Sequence, residues 1–141
     1  MNSLTWTFND APTGDEIAEL RSRLAAWNIA VSGIANERWL AWFVHDEGSD
    51  LVGGAVGRAW GEVLELRFLW IHERLRGCGV GSELLTRIEQ DGASLGCTTV
   101  TTDTFSFQAP EFYRKHGYEV FGYIDGYPES TAKYYLRKTI Q

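Results

Sequence analysis

The sequence is poor in cysteine, histidine and long apolar runs, and each shortage excludes a class of protein. Two cysteines among 141 residues are too few for a disulfide framework, and Cys97 lies too far from Cys78 to form a C-x-x-C pair. The three histidines have no metal-ligand spacing, so we predict no metal site. No stretch of about 18 apolar residues occurs, so we expect no transmembrane helix.

The sequence also lacks an excess of positive charge. Its 13 lysines and arginines against 19 acidic residues give a formal net charge of −6. Broad nucleic-acid binding needs a basic face, so we expect none. The negative balance favours a cationic substrate such as an amine, although solubility explains the same number. The first ten residues have no basic start or apolar segment typical of a signal peptide, so we expect a cytoplasmic protein with no membrane partner.

A strand, a glycine-rich turn and the start of a helix occupy residues 63–85. Residues 63–71 are apolar and β-branched or aromatic, which predicts a buried strand. Glycines follow at positions 77, 79 and 81, and a helix begins at about Val80. Glycines let the backbone approach a ligand closely. The free N–H groups at the start of the helix attract a phosphate, and Arg76 adds a permanent cation.

The spacing of these glycines excludes two nucleotide-binding motifs. Arg-Gly-Cys-Gly-Val-Gly is not Gly-x-Gly-x-x-Gly, and no Lys-Ser/Thr pair follows it as in the Gly-x-x-x-x-Gly-Lys loop. A nucleotide-binding protein is therefore the weakest of the alternatives. A glycine turn without any ligand stays open on this pattern alone.

The pattern Arg76-x-x-Gly79-x-Gly81 resembles the coenzyme A site of the GNAT superfamily of acetyl-CoA-dependent N-acetyltransferases. A second segment, Ala109-x-x-Phe112-Tyr113-x-Lys115-x-Gly117-Tyr118, resembles that family's second signature, Ala-x-x-Leu/Phe-Tyr-x-Lys-x-Gly-Phe. Two motifs in the correct order and spacing are far more specific than either one. The resemblance covers roughly residues 4–140 and is strong over residues 65–137. It departs from the family at Ser106, where many members carry asparagine.

The resemblance implies acetyl-CoA as co-substrate and assigns residues to it. The end of the strand pairs with the pantetheine amides like an added strand, and the glycine turn holds the diphosphate. The implied cofactor-binding residues are Leu69, Trp70, Ile71, Arg76, Gly77, Cys78, Gly79, Val80, Gly81, Ser82, Ser106, Ala109 and Phe112.

The implied reaction transfers an acetyl group from acetyl-CoA to a primary amine of a small molecule, with an amine of a protein or peptide as the second choice. Tyr113 is the candidate acid, since a phenol is protonated at neutral pH; alternatively it only packs or orders coenzyme A. Glu65 is the candidate base, because a carboxylate in an apolar strand is costly unless paired or used. The alternative for Glu65 is an ion pair with Arg67. Glu62, Asp103 and Asp125 are lesser candidates for the base, and an ordered water alone is a further alternative.

Two further points stay open in the sequence. The chain could be a non-catalytic module that binds acyl-CoA as a regulatory ligand. A homodimer is plausible, because six tryptophans and exposed late strands could pair. The region that would select the acceptor carries no recognisable motif.

The pattern predicts one domain over residues 1–141 in the α/β (α+β) class. We expect the GNAT-like acyl-CoA N-acyltransferase fold, a mixed, mostly antiparallel sheet of six or seven strands with about four helices. Short connections predict an antiparallel meander before residue 71, and the long helix after the glycine turn predicts a parallel strand pair. Strands are expected at residues 4–8, 39–45, 51–60, 63–71, 97–104, 118–124 and 133–140. Helices are expected from Thr13 or Asp15, at 80–95 and at 110–116.

Overall fold

The computed structural model describes residues 3–140 and divides them into two compact units, one up to Ala35 and one from Asn36 on. That the whole chain forms one domain stays a prediction. Three α-helices and six strands follow one another as α1 (Gly14–Ser32), β1 (Arg38–His45), β2 (Leu51–Trp60), β3 (Val63–Ile71), α2 (Val80–Ser94), β4 (Thr99–Phe105), α3 (Pro110–Lys115), β5 (Glu119–Tyr127) and β6 (Thr131–Thr139).

The first unit contains α1, which begins with a capping box. The Thr13 side chain accepts from the Glu16 N–H, and the Glu16 carboxylate accepts from the Thr13 N–H. The helix ends at Gly33, whose φ of 72° is left-handed. The strand predicted at residues 4–8 is wrong, since residues 3–13 contain no strand. Alternation of apolar and polar residues forms a strand only where another strand pairs with it.

The second unit is a six-stranded sheet in the order β1-β2-β3-β4-β6-β5. Strands β3 and β4 pair in parallel and all other neighbours are antiparallel. The mixed sheet, the antiparallel start and the parallel pair are therefore confirmed. The predicted count of about four helices is too high. The described residues contain three α-helices, because α1 is one continuous helix from Gly14 to Ser32.

Strands β3 and β4 separate after three residue pairs. Their pairing runs from Val63 with Thr99 to Glu65 with Thr101 and then stops. At the same place the β2–β3 register skips one residue of β3, so Arg67 forms a bulge. A bulge bends its strand, and here the bend accompanies the opening of a gap between β3 and β4. The gap lies at the carboxyl end of both strands, next to the glycine turn.

The core of the second unit lies between α2 and one face of the sheet. Its largest fully buried side chains are Leu64, Leu84, Leu85, Ile88, Cys97, Val100 and Leu136. Gly57 of β2 lies against this core, since a Cβ there would stand 2.9 Å from the Leu64 Cδ1 atom. The glycine in this strand therefore marks close packing.

The last hairpin differs from the prediction in its turn. The first strand of this hairpin was expected to end at residue 124, but β5 continues to Tyr127 with an irregular register after Ile124. The turn follows at residues 128–130, where Glu129 has a φ of 59°. The Asp-Gly pair, which otherwise favours a turn, is here part of an irregular strand.

Within residues 3–140 no helix is long and apolar enough to cross a membrane.

Candidate active site

The glycine turn presents unpaired backbone N–H groups at the start of α2. Gly77 and Gly79 have φ angles of 77° and 82°, which glycine adopts without strain. The N–H groups of residues 79–82 donate to no acceptor within residues 3–140, as expected for the first turn of a helix. A Cβ on Gly77 or Gly79 would meet no atom within 4 Å. The turn therefore faces open space with free donors, which fits a phosphate group.

Gly81 joins the end of β3 to the start of α2 and to α3. A Cβ at this position would lie 2.8 Å from Ile71 Cδ1 and 3.2 Å from Phe112 Cε1. The absence of a side chain thus permits contact between the two signature segments. The structure brings the predicted residues Ile71, Gly81 and Phe112 together, although they come from three elements.

His116 makes a second link between the two segments, which the sequence interpretation missed. Its Nε2 atom lies 2.9 Å from Ser82 Oγ, and its Nδ1 atom lies 2.8 Å from the Phe112 carbonyl oxygen. A carbonyl only accepts, so Nδ1 is the donor in that bond. The signal available in the sequence was the position of His116 between Lys115 and Gly117 of the second signature.

The predicted pantetheine-binding segment lies on β3 beyond its pairing with β4. Residues 69–71 pair with β2 only, so the edge of β3 that faces β4 is open there. Arg76 and Cys78 are exposed beside the turn, and Arg76 takes part in no ion pair within the described range. An open strand edge and a cation without a partner lie where the resemblance places the coenzyme.

Tyr113 is buried in α3, with 5% of its surface exposed. Burial raises the pKa of its phenol, the nearby Thr102 hydroxyl acts in the opposite direction, and the negative charge of Asp103 raises the pKa further. Thr102 Oγ1 donates to the Leu66 carbonyl oxygen at 3.1 Å. The phenol is therefore protonated at neutral pH and adjoins the gap between β3 and β4, as an acid in this site requires.

Raised tyrosine pKa values predict a loss of stability in alkali. Burial, together with a hydrogen bond to Glu89, also raises the pKa of Tyr118 far above its usual value. Because both phenols keep their proton in the folded state, their contribution to the free energy of unfolding is complete below pH 10 and is lost as pH rises above 10. In an absorbance titration at 295 nm, we expect tyrosinate signal equivalent to these two residues to appear only with unfolding. Tyr118→Phe should halve that step; ionisation of all tyrosines before unfolding would contradict the prediction.

Ala109 and Ser106 lie between β4 and α3. The Ala109 N–H donates to Thr104 Oγ1 at 3.2 Å, which fixes the start of α3. Ser106 exchanges two hydrogen bonds with Ala132, one through its N–H and one through its Oγ. Those bonds tie Ser106 to the start of β6, so its assignment to the coenzyme stays a prediction.

Glu65 lies on the face of the sheet opposite α2 and is held by two arginines. Its carboxylate is 2.9 Å from Arg58 and 3.8 Å from Arg67. The ion pair that the sequence offered as the alternative to a base role is thus present. The side chain is 38% exposed, so water reaches it, and its role as a base stays a prediction.

A cavity of about 510 Å³ opens on that same face. Its floor includes Leu66 and Thr102, the residues joined by a hydrogen bond where β3 and β4 separate. Thr102 also lies close enough to Tyr113 to affect the pKa of its phenol, so this threonine adjoins both the cavity and the candidate acid. Glu65 lines the cavity wall. One candidate catalytic residue, Glu65, therefore lines the cavity, and the other, Tyr113, lies close to the lining residue Thr102.

Comparison with known proteins agrees with this geometry. A family model described as acetyltransferase (GNAT) family matches residues 1–118. Blasticidin-S acetyltransferase of Streptomyces morookaense is 35% identical over 95 residues, 67% of this chain and 70% of that protein. An acetyltransferase of Agrobacterium fabrum is 25% identical over 119 residues, covering 84% and 87% of the two chains. The crystal structure of an acetyltransferase from Bacillus cereus has a TM-score of 0.76 at 29% identity and covers 95% of this chain and 98% of that one.

The fold and these relatives define an acyltransferase enzyme. The chain belongs to the GNAT acetyltransferase family, whose members use acetyl-CoA as co-substrate. Family membership favours the enzyme over the non-catalytic acyl-CoA-binding module. The free N–H groups and the open space before Gly77 and Gly79 fit the diphosphate of that co-substrate. No group of three or more metal-ligating side chains occurs in the described part of the chain.

Proposed function

We propose that this enzyme acetylates a primary amine of a small molecule. The observation that carries the proposal is the cavity on the Glu65 side of the sheet, whose lining includes both Glu65 and Thr102, a residue close enough to Tyr113 to affect the pKa of its phenol. A cavity of about 510 Å³ is in the range of small-molecule sites. A relative of this chain is named for acetylation of blasticidin-S, which supports a small-molecule acceptor.

Each candidate residue has a task in this reaction. Acetyl-CoA supplies the acetyl group as a thioester. The acceptor ammonium first loses a proton, which Glu65 takes through a water so that its ion pair with Arg58 is kept. The amine nitrogen then bonds to the acetyl carbon, the carbon–sulfur bond breaks, and Tyr113 donates a proton to the departing thiolate. The second proton, which the nitrogen still carries after the attack, passes through water to the tyrosinate and restores the phenol. A backbone N–H near Trp70 or Ile71 on the open edge of β3 polarises the thioester carbonyl.

The coenzyme site is tested by thermal unfolding with acetyl-CoA, ATP and NAD. Acetyl-CoA at a hundred times its dissociation constant adds about 2.7 kcal/mol to the free energy of unfolding, or roughly 5–10 °C in Tm for a chain of this length. We expect that shift with acetyl-CoA and none with ATP or NAD. No shift with acetyl-CoA in a folded sample would overturn the assignment of residues 76–82.

Two glycines at opposite ends of α2 provide a matched pair of variants. Gly79 and Gly96 both have positive φ, and a Cβ on either meets no atom within 4 Å. Gly79→Ala and Gly96→Ala should therefore cost similar backbone strain, about 1–2 kcal/mol each. Because only Gly79 faces the diphosphate site, we expect its variant to weaken acetyl-CoA binding about tenfold by calorimetry and the Gly96 variant to leave it unchanged. Equal affinities in both variants would place the coenzyme elsewhere.

A further inference from the structure

The cavity on the Glu65 side carries four charged side chains that form two long ion pairs with one another, and Glu65 has a shorter ion pair with Arg58 at 2.9 Å. Arg67 and Glu65 come from β3, Asp103 from β4 and Lys133 from β6. The closest approach is 3.8 Å between Arg67 Nη1 and Glu65 Oε2, and 3.7 Å between Lys133 Nζ and Asp103 Oδ1. Both distances exceed the 2.7–3.2 Å range of N–H···O hydrogen bonds. Direct charge-assisted hydrogen bonds are therefore missing from both pairs.

Lys133 is the best positioned of these groups to receive a ligand. Its ammonium lies 5.6 Å from the centre of the Phe105 ring and 5.5 Å from that of Tyr135, so two cation–π contacts hold it. Within residues 3–140 its one ion-pair partner is Asp103. Its side chain is 24% exposed. Asp103 is too distant to form a direct hydrogen bond with this ammonium, which is fixed and partly desolvated. A second anion at hydrogen-bonding distance would therefore stabilise the ammonium through a charge-assisted hydrogen bond.

We infer that the acceptor carries a carboxylate beside its amine, as an amino acid does. The acceptor carboxylate binds Lys133, and Asp103, released from that lysine, accepts from the acceptor ammonium. One long internal ion pair is exchanged for two short intermolecular ones, and no charge in the cavity is left without a partner. The inference rests on the proposed function, because it describes the acceptor of that reaction.

Other amines fit the same charges less well. An amine without a carboxylate would draw Asp103 away from Lys133 and leave that ammonium without a counter-ion, which is unfavourable in a partly buried site. A polyamine would bring a second positive charge near Lys133 and Arg67. The cavity therefore selects against the purely cationic acceptors that the net charge of the chain favours.

The aromatic walls indicate where the rest of the acceptor lies. Phe68 and Phe121 line the cavity and are 67% and 53% exposed, and the Phe121 ring centre is 6.5 Å from that of Tyr135. Exposed rings around a cavity bind apolar or planar groups. We therefore expect an amino acid with an apolar or aromatic side chain to bind better than a small polar one.

The test compares amino acids with the amines that lack their carboxylate. The pairs are phenylalanine with phenethylamine, tryptophan with tryptamine, and lysine with cadaverine, and coenzyme A release gives kcat/KM. We expect at least a tenfold higher kcat/KM for the favoured amino acid than for its amine. Lys133→Met should reduce that ratio about tenfold, mainly through KM, and Lys133→Arg should retain it because the charge is kept.

Lys138→Met is the matched control. Lys138 lies on the same strand as Lys133, but it pairs with Glu89 of α2 on the other face of the sheet. The ratio of kcat/KM for amino acid and amine should therefore not change in this variant. The inference would be overturned if the wild type had an equal or higher kcat/KM for the amines than for the amino acids, or if Lys133→Met left the ratio of the two unchanged. Either result would leave the proposed function intact. If none of the six compounds causes release of coenzyme A, the result would count against both the inference and the proposed function.

Discussion

Tyr113→Phe is expected to lower kcat by about 100-fold or more while the dissociation constant of acetyl-CoA stays within a factor of about two. General acid catalysis contributes typically 10²–10⁴-fold, and the phenol is held protonated by burial next to the gap between β3 and β4. The ring itself, packed on Phe112 and Tyr118, is retained in the variant. Steady-state kinetics together with calorimetric titration of acetyl-CoA separate the two quantities.

Tyr118→Phe is the control for burial and for loss of a hydroxyl. Tyr118 is also buried and its hydroxyl donates to Glu89 at 2.7 Å, but that bond lies on the side of α2 facing Lys138. We expect this variant to lose stability and to keep kcat. If Tyr113→Phe instead weakens acetyl-CoA binding with little change in kcat, the tyrosine orders the coenzyme and another group is the acid.

The features that could be predicted from the sequence are those that local chemistry determines. The bounds of β2 and β3 were predicted as observed because Gly61 turns the chain between two apolar runs and has a φ of 61°. The start of α2 followed from three glycines whose roles differ. Gly77 and Gly79 supply positive φ, whereas Gly81 makes room for Ile71 and Phe112.

The features that could not be predicted depend on contacts between distant residues. Nothing in the local pattern places β6 between β4 and β5, since the hydrophobic alternation of each strand is the same in either order. The bulge at Arg67 and the end of β3–β4 pairing create the gap, and neither has a signal in composition. Contact between Ser82 and His116 likewise depends on how α3 packs beside α2.

The interpretation of Glu65 shows the same limit within the candidate site. Its occurrence in an apolar strand indicated that the carboxylate must be paired or used, and the sequence offered Arg67 as the partner. The nearer partner is Arg58, which β2 brings to 2.9 Å through the antiparallel register that sets Arg58 opposite Glu65. A cross-strand partner could be named only once the register was known.

Leu64→Ala is expected to lower the free energy of unfolding by about 2–5 kcal/mol, the usual cost of a leucine-sized cavity in a packed core. Leu64 is fully buried, and its methyl groups occupy the space beside Gly57 and Gly92, where a Cβ would approach to 2.9 Å. Gly57→Ala alone should cost about 1–3 kcal/mol by overpacking. Urea unfolding of the two single variants and of the double variant measures both effects.

The double variant decides whether Leu64 and Gly57 share one packing site. The new Cβ would fill part of the cavity left by Leu64→Ala, so the double variant should lose less than the sum of the single losses, by about 1 kcal/mol. Gly122→Ala is the matched control, a strand glycine whose Cβ would meet no atom within 4 Å, and it should show no coupling with Leu64→Ala. If the double variant with Gly57→Ala instead loses the exact sum of the two single losses, β2 moves away from α2 to admit the new side chain.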